Sequence, residues 1–199
     1  MLSGVSNTAQ AVVAIVAGYL LGSLPIADVV ARRHGASLRG SGDRNPGYWN
    51  AKTLLGRRAA IPVFIGDVAK GAVAAAVGRG LGGPWWVGYL AGGAAMVGHA
   101  WPVFARFRGG RSILAFVGAS CMLAPVPAAL CVLGCLAISA LSRSFARGAR
   151  AGIFAYPLVQ AIFDPRARVA ATGLMMTLIG VRFAMAAAAD QRVSAGGTV

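Results

Sequence analysis

Apolar residues along the chain gather into seven stretches, separated by short segments that carry basic residues, proline or glycine. A helix that crosses a bilayer needs about 20 apolar residues, and several of the stretches reach that length. They cover residues 9 to 31, 59 to 78, 84 to 105, 112 to 124, 126 to 141, 151 to 163 and 169 to 189. The pattern predicts an all-α, polytopic membrane helix bundle of about seven transmembrane helices, with residues 1–199 forming a single integral membrane domain.

Two places in this pattern need separate interpretation. The fourth and fifth stretches form one run that Pro125 and Pro127 interrupt, and two prolines this close together end a helix. We therefore expect a tight hairpin there. The sixth stretch is short for a full crossing, so it forms either a transmembrane helix or a half-span that lies in the interface.

The amino-acid composition supports the membrane assignment. Of the 199 residues, 57% are hydrophobic and only 12% are charged, whereas about 25% of residues are charged in a soluble domain. Glu is absent, which argues against paired-glutamate hydrolysis and di-metal carboxylate chemistry. The three cysteines lie inside apolar runs and are interpreted as packing residues. The five acidic residues are Asp28, Asp43, Asp67, Asp164 and Asp190.

The distribution of positive charge predicts the topology. Lys and Arg number 19 and the formal net charge is +14. Such an excess can indicate nucleic-acid binding, but these charges lie between apolar stretches, so membrane topology explains them and no nucleic-acid partner is expected. With the N-terminus outside and the C-terminus inside, all but a few basic residues face the cytoplasm. Cytoplasmic loops are then expected at residues 32–58, 106–111 and 142–150.

The N-terminal stretch is expected to remain in the protein. No basic residue precedes Arg32, so the first apolar stretch lacks the charged n-region of a secretory signal peptide.

The first two inner connections combine glycine with basic side chains. Residues 32–58 read RRHGASLRGSGDRNPGYWNAKTLLGRR, and the second connection contains Arg108, Gly109, Gly110, Arg111 and Ser112 directly before an apolar stretch. Glycine lets backbone N–H groups approach an anion, and arginine supplies charge. Ser112 is expected to cap the following helix, whose N-terminus would then favour a phosphate. Two interpretations stay open: a phosphate site, or a basic anchor on anionic lipid followed by an ordinary helix start.

Three ionisable residues occur within or beside apolar stretches. Asp67 and Lys70 are three residues apart and so share one helical face, and both charges are expected to face the bundle interior. We interpret them as a structural ion pair, with direct substrate contact as the alternative. His99 is either a general base or a hydrogen-bonded packing residue. Neither His34 nor His99 starts a His-x4-Asp dyad, no zinc-binding helix motif is present, and no metal or cofactor is expected.

The order of motifs resembles a known bacterial family. The segments GYLLGSLPIADVVARRHG, GDVAKG and GHAWPVFARFRGGR follow one another over roughly residues 18 to 118. They are similar to the GSxP, DIRxxGSGNxGATN, DxxKG and GHxxPxFxxFKGGKGVAT patterns of the acyl-phosphate:glycerol-3-phosphate acyltransferase family (PlsY). The resemblance implies a seven-helix enzyme of the bacterial plasma membrane that transfers an acyl chain from acyl phosphate to the sn-1 hydroxyl of glycerol 3-phosphate. It implies no metal or acyl carrier, and membrane lipids as surroundings.

The family motifs suggest roles for individual residues. Matched positions and the basic loops together imply catalytic roles for Arg111, Ser112 and His99, and a bracing role for Asp67 and Lys70. The residues expected to bind substrate are Arg39, Asn45, Gly47, Asn50, Lys52, Arg108, Gly109, Gly110 and Arg143.

The chain also departs from the family patterns. Asp43 stands where the pattern has Ser, and Arg111 and Ser112 stand where it has Lys and Gly. The third motif is reduced to Arg143 and nearby residues, and the terminal pattern has no clear counterpart between Arg182 and Gln191. The alternatives to acyl transfer are therefore a catalytically weakened paralogue that binds phospholipid or a partner, and a small transporter.

Overall fold

A computed structural model describes residues 6–196, with side chains through Gln191, and every regular element in that range is helical. The described residues form nine α-helices, with a short 3-10 turn at Val103–Ala105 between the fifth and the sixth. The helices are α1 Asn7–Gly22, α2 Ile26–Arg33, α3 Tyr48–Leu55, α4 Arg57–Gly80, α5 Trp85–Ala100, α6 Ile113–Leu123, α7 Pro125–Ser142, α8 Phe145–Phe163 and α9 Arg166–Gly196.

Within residues 6–196, four helical segments are long and apolar enough to cross a membrane, judged by length and composition. They are Asn7–Arg33, Arg57–Gly80, Pro125–Ser142 and Arg166–Gln191. The all-helical membrane architecture predicted from the hydrophobic pattern is therefore confirmed. Arg192, which contributes to the predicted charge asymmetry, lies outside the residues whose side chains are described.

The first apolar stretch forms two helices rather than one continuous helix. The α1 helix ends at Gly22, and α2 begins at Ile26 directly after Pro25. Proline restricts the residue before it to extended conformations, so the helix is interrupted at Leu24. The interruption frees the Leu24 carbonyl from the helical hydrogen-bond pattern, and this carbonyl faces the centre of the bundle.

The run that contains Pro125 and Pro127 forms two helices, as expected. The α6 helix ends at Leu123, and Pro125 occupies the first turn of α7, where its missing N–H has no helical partner to lose. Only Ala124 separates the two helices. Their main packing partners differ, because α6 lies against α4 while α7 lies along α8. The helix break is confirmed, and α7 forms its extensive antiparallel pair with α8 instead of α6.

Two of the three predicted loops contain helix. Residues 32–58 include all of α3, and residues 145–150 form the first turns of α8. The α8 helix has 19 residues, or about 28 Å, because its basic first turns extend the short sixth apolar stretch. Within the predicted loop over residues 142–150, only Arg143 and Ser144 lie outside helices. Residues 106–111 are irregular, as predicted.

Close contacts between small residues hold the central helices together. Gly18 and Gly22 of α1 lie directly against the backbone of α5, and a Cβ atom at Gly22 would meet the Ala95 carbonyl oxygen at 2.0 Å. Gly71 of α4 approaches Ala115 of α6 in the same way, with 1.9 Å from its virtual Cβ to the Ala115 oxygen. Such close approach is how helices gain van der Waals contact in a membrane. The resulting core surrounds the polar residues of the candidate site.

Candidate active site

A narrow polar cleft lies where four parts of the chain meet. They are the break between α1 and α2, the middle of α4, the end of α5 and the glycine loop that precedes α6. Two acidic residues, two basic residues and one histidine line the cleft: Asp28, Arg39, Asp67, Lys70 and His99. Residues as far apart in the sequence as Gly22 and Gly110 thus contribute to one site.

Asp67 and Lys70 form the predicted ion pair, at 2.8 Å between Lys70 Nζ and Asp67 Oδ1. Their side chains are only 2% and 3% exposed. Lys70 Nζ also donates to the freed Leu24 carbonyl at 2.9 Å, so it ties α4 to the break in the first stretch. The pair therefore braces two helices, as expected, and it also forms part of the cleft wall.

His99 joins this pair and extends the polar network into α5. Its Nδ1 lies 3.3 Å from Lys70 Nζ and 3.5 Å from Asp67 Oδ1. An ammonium group has donors and no acceptor, so the shorter contact is a hydrogen bond in the tautomer in which Nδ1 accepts and Nε2 carries the proton. Nε2 lies against Gly110. In that tautomer His99 donates a hydrogen bond from Nε2 towards the cleft, and its contacts with Asp67 and Lys70 fit the hydrogen-bonded packing alternative as well.

Arg39 reaches the cleft from the first inner connection and is held by Asp28 of α2. Arg39 Nε donates to Asp28 Oδ1 at 3.0 Å, and a second, shorter contact joins Nη2 to Oδ2. A further Arg39 nitrogen donates to the Ala105 carbonyl at 3.3 Å. The sequence interpretation missed Asp28. Asp28 could have been recognised as a candidate site residue because it lies three residues after Pro25 and is one of only five acidic residues in the chain.

The Gly109–Gly110 segment is arranged differently from the predicted anion cradle. The N–H of Gly110 donates to the His99 carbonyl at 3.0 Å, and that of Gly109 donates to Ala100 at 3.1 Å. These amides are therefore already paired and are not free to bind phosphate. Glycine is required because a Cβ at position 109 would meet the His99 carbonyl oxygen at 1.9 Å. The segment closes the cleft wall by packing on His99.

Arg182 of α9 holds the same segment from the other side. Its Nη2 and Nε donate to the Gly109 and Gly110 carbonyls at 2.9 and 3.0 Å. Its guanidinium also lies 5.1 Å from the ring centroid of Trp101. The sequence offered no counterpart of the family's terminal motif here, so this contact was not predicted. It connects the C-terminal helix to the site.

Ser112 does not cap α6 with its side chain. It stands at the position before the helix with a left-handed backbone, φ 62°, and its hydroxyl donates to the Met96 carbonyl at 2.7 Å. The predicted capping is wrong because the buried Met96 carbonyl of α5 takes the hydroxyl proton. Ser112 therefore fastens α6 to α5.

Arg111 lies at the rim of the cleft, one residue beyond Gly110. Its Nη1 contacts Asp43 Oδ2 at 3.1 Å, and its guanidinium lies 4.8 Å from the centroid of the Phe183 ring. The contact with Asp43 joins the first inner connection to the second. Two residues at which the chain departs from the family patterns thus pair with each other.

The remaining predicted ligands fall into two groups. Asn50 is buried and its amide donates to the Leu38 and Ser41 carbonyls at 2.7 and 3.0 Å, so it shapes the first connection from within. Asn45 and Gly47 lie on either side of Pro46, which lines the cleft.

Three predicted basic ligands do not line the cleft. Lys52 lies 4.7 Å over the ring of Trp49, which stacks on Phe145. Arg108 and Arg143 are exposed, and Arg143 ends α7 in a left-handed conformation. The sequence predicted that Lys52 and Arg143 bind substrate together with the other ligands. In the structure they lie apart from the cleft, because Lys52 belongs to α3 and packs on Trp49, and Arg143 follows the end of α7.

Comparison with known proteins agrees with the resemblance seen in the motifs. The sequence model of the family described as glycerol-3-phosphate acyltransferase matches residues 12–189. The chain belongs to the glycerol-3-phosphate acyltransferase family. A curated family member from Desulforudis audaxviator is 35% identical over 87% of this chain and 88% of its own length. Glycerol-3-phosphate acyltransferase 5 of Dehalococcoides mccartyi is 38% identical over 76% of this chain.

The matched region spans just under two thirds of the two Dehalococcoides relatives, at 65% and 64% of their lengths. Among solved structures, PlsY (YgiH), an integral membrane glycerol 3-phosphate acyltransferase in its glycerol 3-phosphate form, superposes with a TM-score of 0.77. That comparison covers 94% of this chain and 92% of PlsY at 27% identity. The family assignment predicted from the motif order is confirmed, and the cleft lies where these family motifs meet.

Proposed function

We propose that this chain transfers an acyl group from acyl phosphate to the sn-1 hydroxyl of glycerol 3-phosphate, forming lysophosphatidate and releasing phosphate at the bacterial plasma membrane. Family membership supports this proposal, as do the PlsY structures described as glycerol 3-phosphate and lysophosphatidic acid forms. The main structural support for acyl transfer is the arrangement of residues in the cleft wall. There His99, braced by Asp67 and Lys70, faces the same space as Arg39.

The chemistry needs few groups from the protein. The sn-1 oxygen attacks the carbonyl carbon of the acyl phosphate, the bond from that carbon to the phosphate oxygen breaks, and the electron pair leaves with phosphate. In this scheme the released phosphate takes the hydroxyl proton, and His99 keeps its own proton on Nε2. His99 then acts as a hydrogen-bond donor to the oxygen that gains charge, which is the electrostatic role that accelerates acyl transfer. Arg39 orients a substrate phosphate.

The substrates require the cleft to widen. Its free volume is about 20 Å³, which holds roughly one water molecule. Arg39, Lys70 and Arg111 are each paired with a carboxylate in this state. A phosphate must therefore exchange with at least one of those carboxylates as it enters.

We further propose seven membrane crossings, with the N-terminus outside and the C-terminus inside. The four long segments account for part of this number, and α5, α6 and α8 supply the others. The excess of arginine in the inner connections supports this orientation. The cleft then opens to the cytoplasm, where both phosphorylated substrates would reach it.

The test measures product formation by the purified protein in detergent, given acyl phosphate and labelled glycerol 3-phosphate. We expect labelled lysophosphatidate from the parent chain and at least a tenfold loss in Arg111→Ala, since a charge-assisted contact to phosphate is removed. Arg143→Ala serves as the matched control, because Arg143 is an exposed arginine outside the cleft lining. We expect Arg143→Ala to retain activity.

The donor is tested by replacing acyl phosphate with an acyl thioester, which should yield no product. No product with acyl phosphate, from a folded protein that binds glycerol 3-phosphate, would contradict acyl transfer and favour the weakened paralogue with a binding role.

A further inference from the structure

The ion pair between Asp43 and Arg111 connects the two inner connections at the rim of the cleft. Its atoms are 3.1 Å apart, and the N–H of Asn45 donates to the other carboxylate oxygen of Asp43 at 3.2 Å. Both members stand where the family patterns have different residues. The Asp43 carboxylate thus contacts Arg111, the arginine whose loss we expect to remove a contact to substrate phosphate.

The three carboxylate pairs at the site differ in how readily they can open. Lys70 and Asp67 are 3% and 2% exposed, and Asp28 in the Arg39 pair is 15% exposed. Asp43 is 37% exposed. A carboxylate that leaves a buried cation loses its compensation in a medium of low dielectric, whereas an exposed carboxylate is rehydrated as it leaves. The Asp43 pair is therefore the one that an incoming anion displaces most easily.

Arg111 has a second contact besides Asp43. Its guanidinium packs on the Phe183 ring at 4.8 Å, and such contact stabilises a cation. Its Nε is buried and has no hydrogen-bond partner among the described residues. The guanidinium is thus supported by the α9 helix, and its Nη1 becomes available when the carboxylate moves away.

We propose that the Asp43 carboxylate occupies Arg111 when the site is empty and competes with the phosphate of the substrate, so that Asp43 sets the affinity for anionic substrate. This inference rests on the proposed function, since it takes glycerol 3-phosphate as the competing anion. Removing the charge of Asp43 eliminates the competitor and leaves the cation in place. The substitution therefore tightens phosphate binding, although it deletes an ion pair.

The experiment titrates glycerol 3-phosphate into the detergent-purified full chain by calorimetry, for the parent and for Asp43→Asn. We expect Kd to fall about 2- to 5-fold in Asp43→Asn, the range that corresponds to an exposed ion pair. In acyl transfer, KM for glycerol 3-phosphate should fall by a similar factor. The matched control is Asp164→Asn, which removes a carboxylate from the Arg168 pair between α8 and α9. It should leave Kd unchanged.

A second variant shows whether the gain comes from Arg111. In Asp43→Asn combined with Arg111→Gln, the tighter binding should disappear. An unchanged or weaker affinity in Asp43→Asn, a gain that survives the loss of Arg111, or no binding by the parent chain would each overturn the proposal. Absence of acyl transfer from a parent chain that binds glycerol 3-phosphate would overturn the proposed function alone, because the binding measurement still decides the role of Asp43.

Discussion

The α4–α5–α6 region and the α7–α8 pair show two ways of placing helices in a membrane. In the first region Phe116 is 2% exposed, and Gly71 lies against the backbone of α6. In the second, Phe154 is 73% exposed and Ile162 is 77% exposed. The first region encloses Phe116 and the polar side chains of the cleft between its helices, whereas the second leaves these large apolar side chains on the surface of the bundle.

This difference explains where the site forms. Lipid solvates apolar side chains about as well as a protein interior does, so helices gain little from burying them. Buried charges, in contrast, require fixed partners, and the closely packed region supplies them for Asp67 and Lys70. The cleft lies in the part of the bundle where backbone contacts hold Asp67, Lys70 and His99 at hydrogen-bonding distances.

The largest expected difference in stability between the two regions comes from removing a buried carboxylate, in Asp67→Asn. The substitution leaves Lys70 buried without its carboxylate, and we expect the free energy of unfolding to fall by about 4 kcal/mol. Asp164→Asn removes a carboxylate whose partner Arg168 is 38% exposed and which also accepts from Gln160, so it should cost less, about 1 to 2 kcal/mol. Chemical unfolding of both variants in detergent micelles measures the difference. Equal losses would show that burial does not separate the two pairs.

A smaller difference is expected between two phenylalanines. Phe116→Ala creates a cavity in the packed region and should lower the free energy of unfolding by about 3 kcal/mol. Phe154→Ala exposes little new surface, because detergent or lipid replaces the ring, and should cost under about 1 kcal/mol. Thermal unfolding in the same micelles compares the two variants. A similar loss in Phe154→Ala would mean that another surface covers α8.

The smallest expected effect on the free energy of unfolding comes from adding one methyl group to a glycine in each region. Gly71→Ala forces α4 and α6 apart and should cost about 2 kcal/mol. Gly134→Ala in α7 meets no atom within 4 Å and should gain up to about 1 kcal/mol from helix propensity. Denaturant midpoints of the two variants are expected to move in opposite directions. A shift in the same direction would contradict the close packing of α4 on α6.

Much of the site could be predicted from local sequence. Asp67 and Lys70 were assigned to each other because residues three apart share a helical face, and the structure joins them at 2.8 Å. The Gly109–Gly110 segment was recognised as special, but its amides were expected to be free. Whether an amide is free depends on which carbonyl lies opposite, and His99 and Ala100 come from the preceding helix end.

Other contacts depended on long-range packing. Asp28 pairs with Arg39, Asp43 with Arg111, and Arg182 with the glycine carbonyls. The members of the last two pairs are about 70 residues apart in the chain. No periodicity within one helix brings such residues together, so local patterns could not reveal these partners.

By itself, the amino-acid sequence determined the membrane environment, the approximate helix positions and the family, because these follow from apolar stretches, prolines and short motifs. Only the tertiary structure decided which groups remain available to a substrate. Each carboxylate and carbonyl near the cleft can satisfy a neighbouring cation or amide, and the choice depends on how closely the helices approach. In this chain that choice pairs Arg39, Lys70 and Arg111 with carboxylates and directs His99 Nε2 towards the Gly110 wall of the cleft.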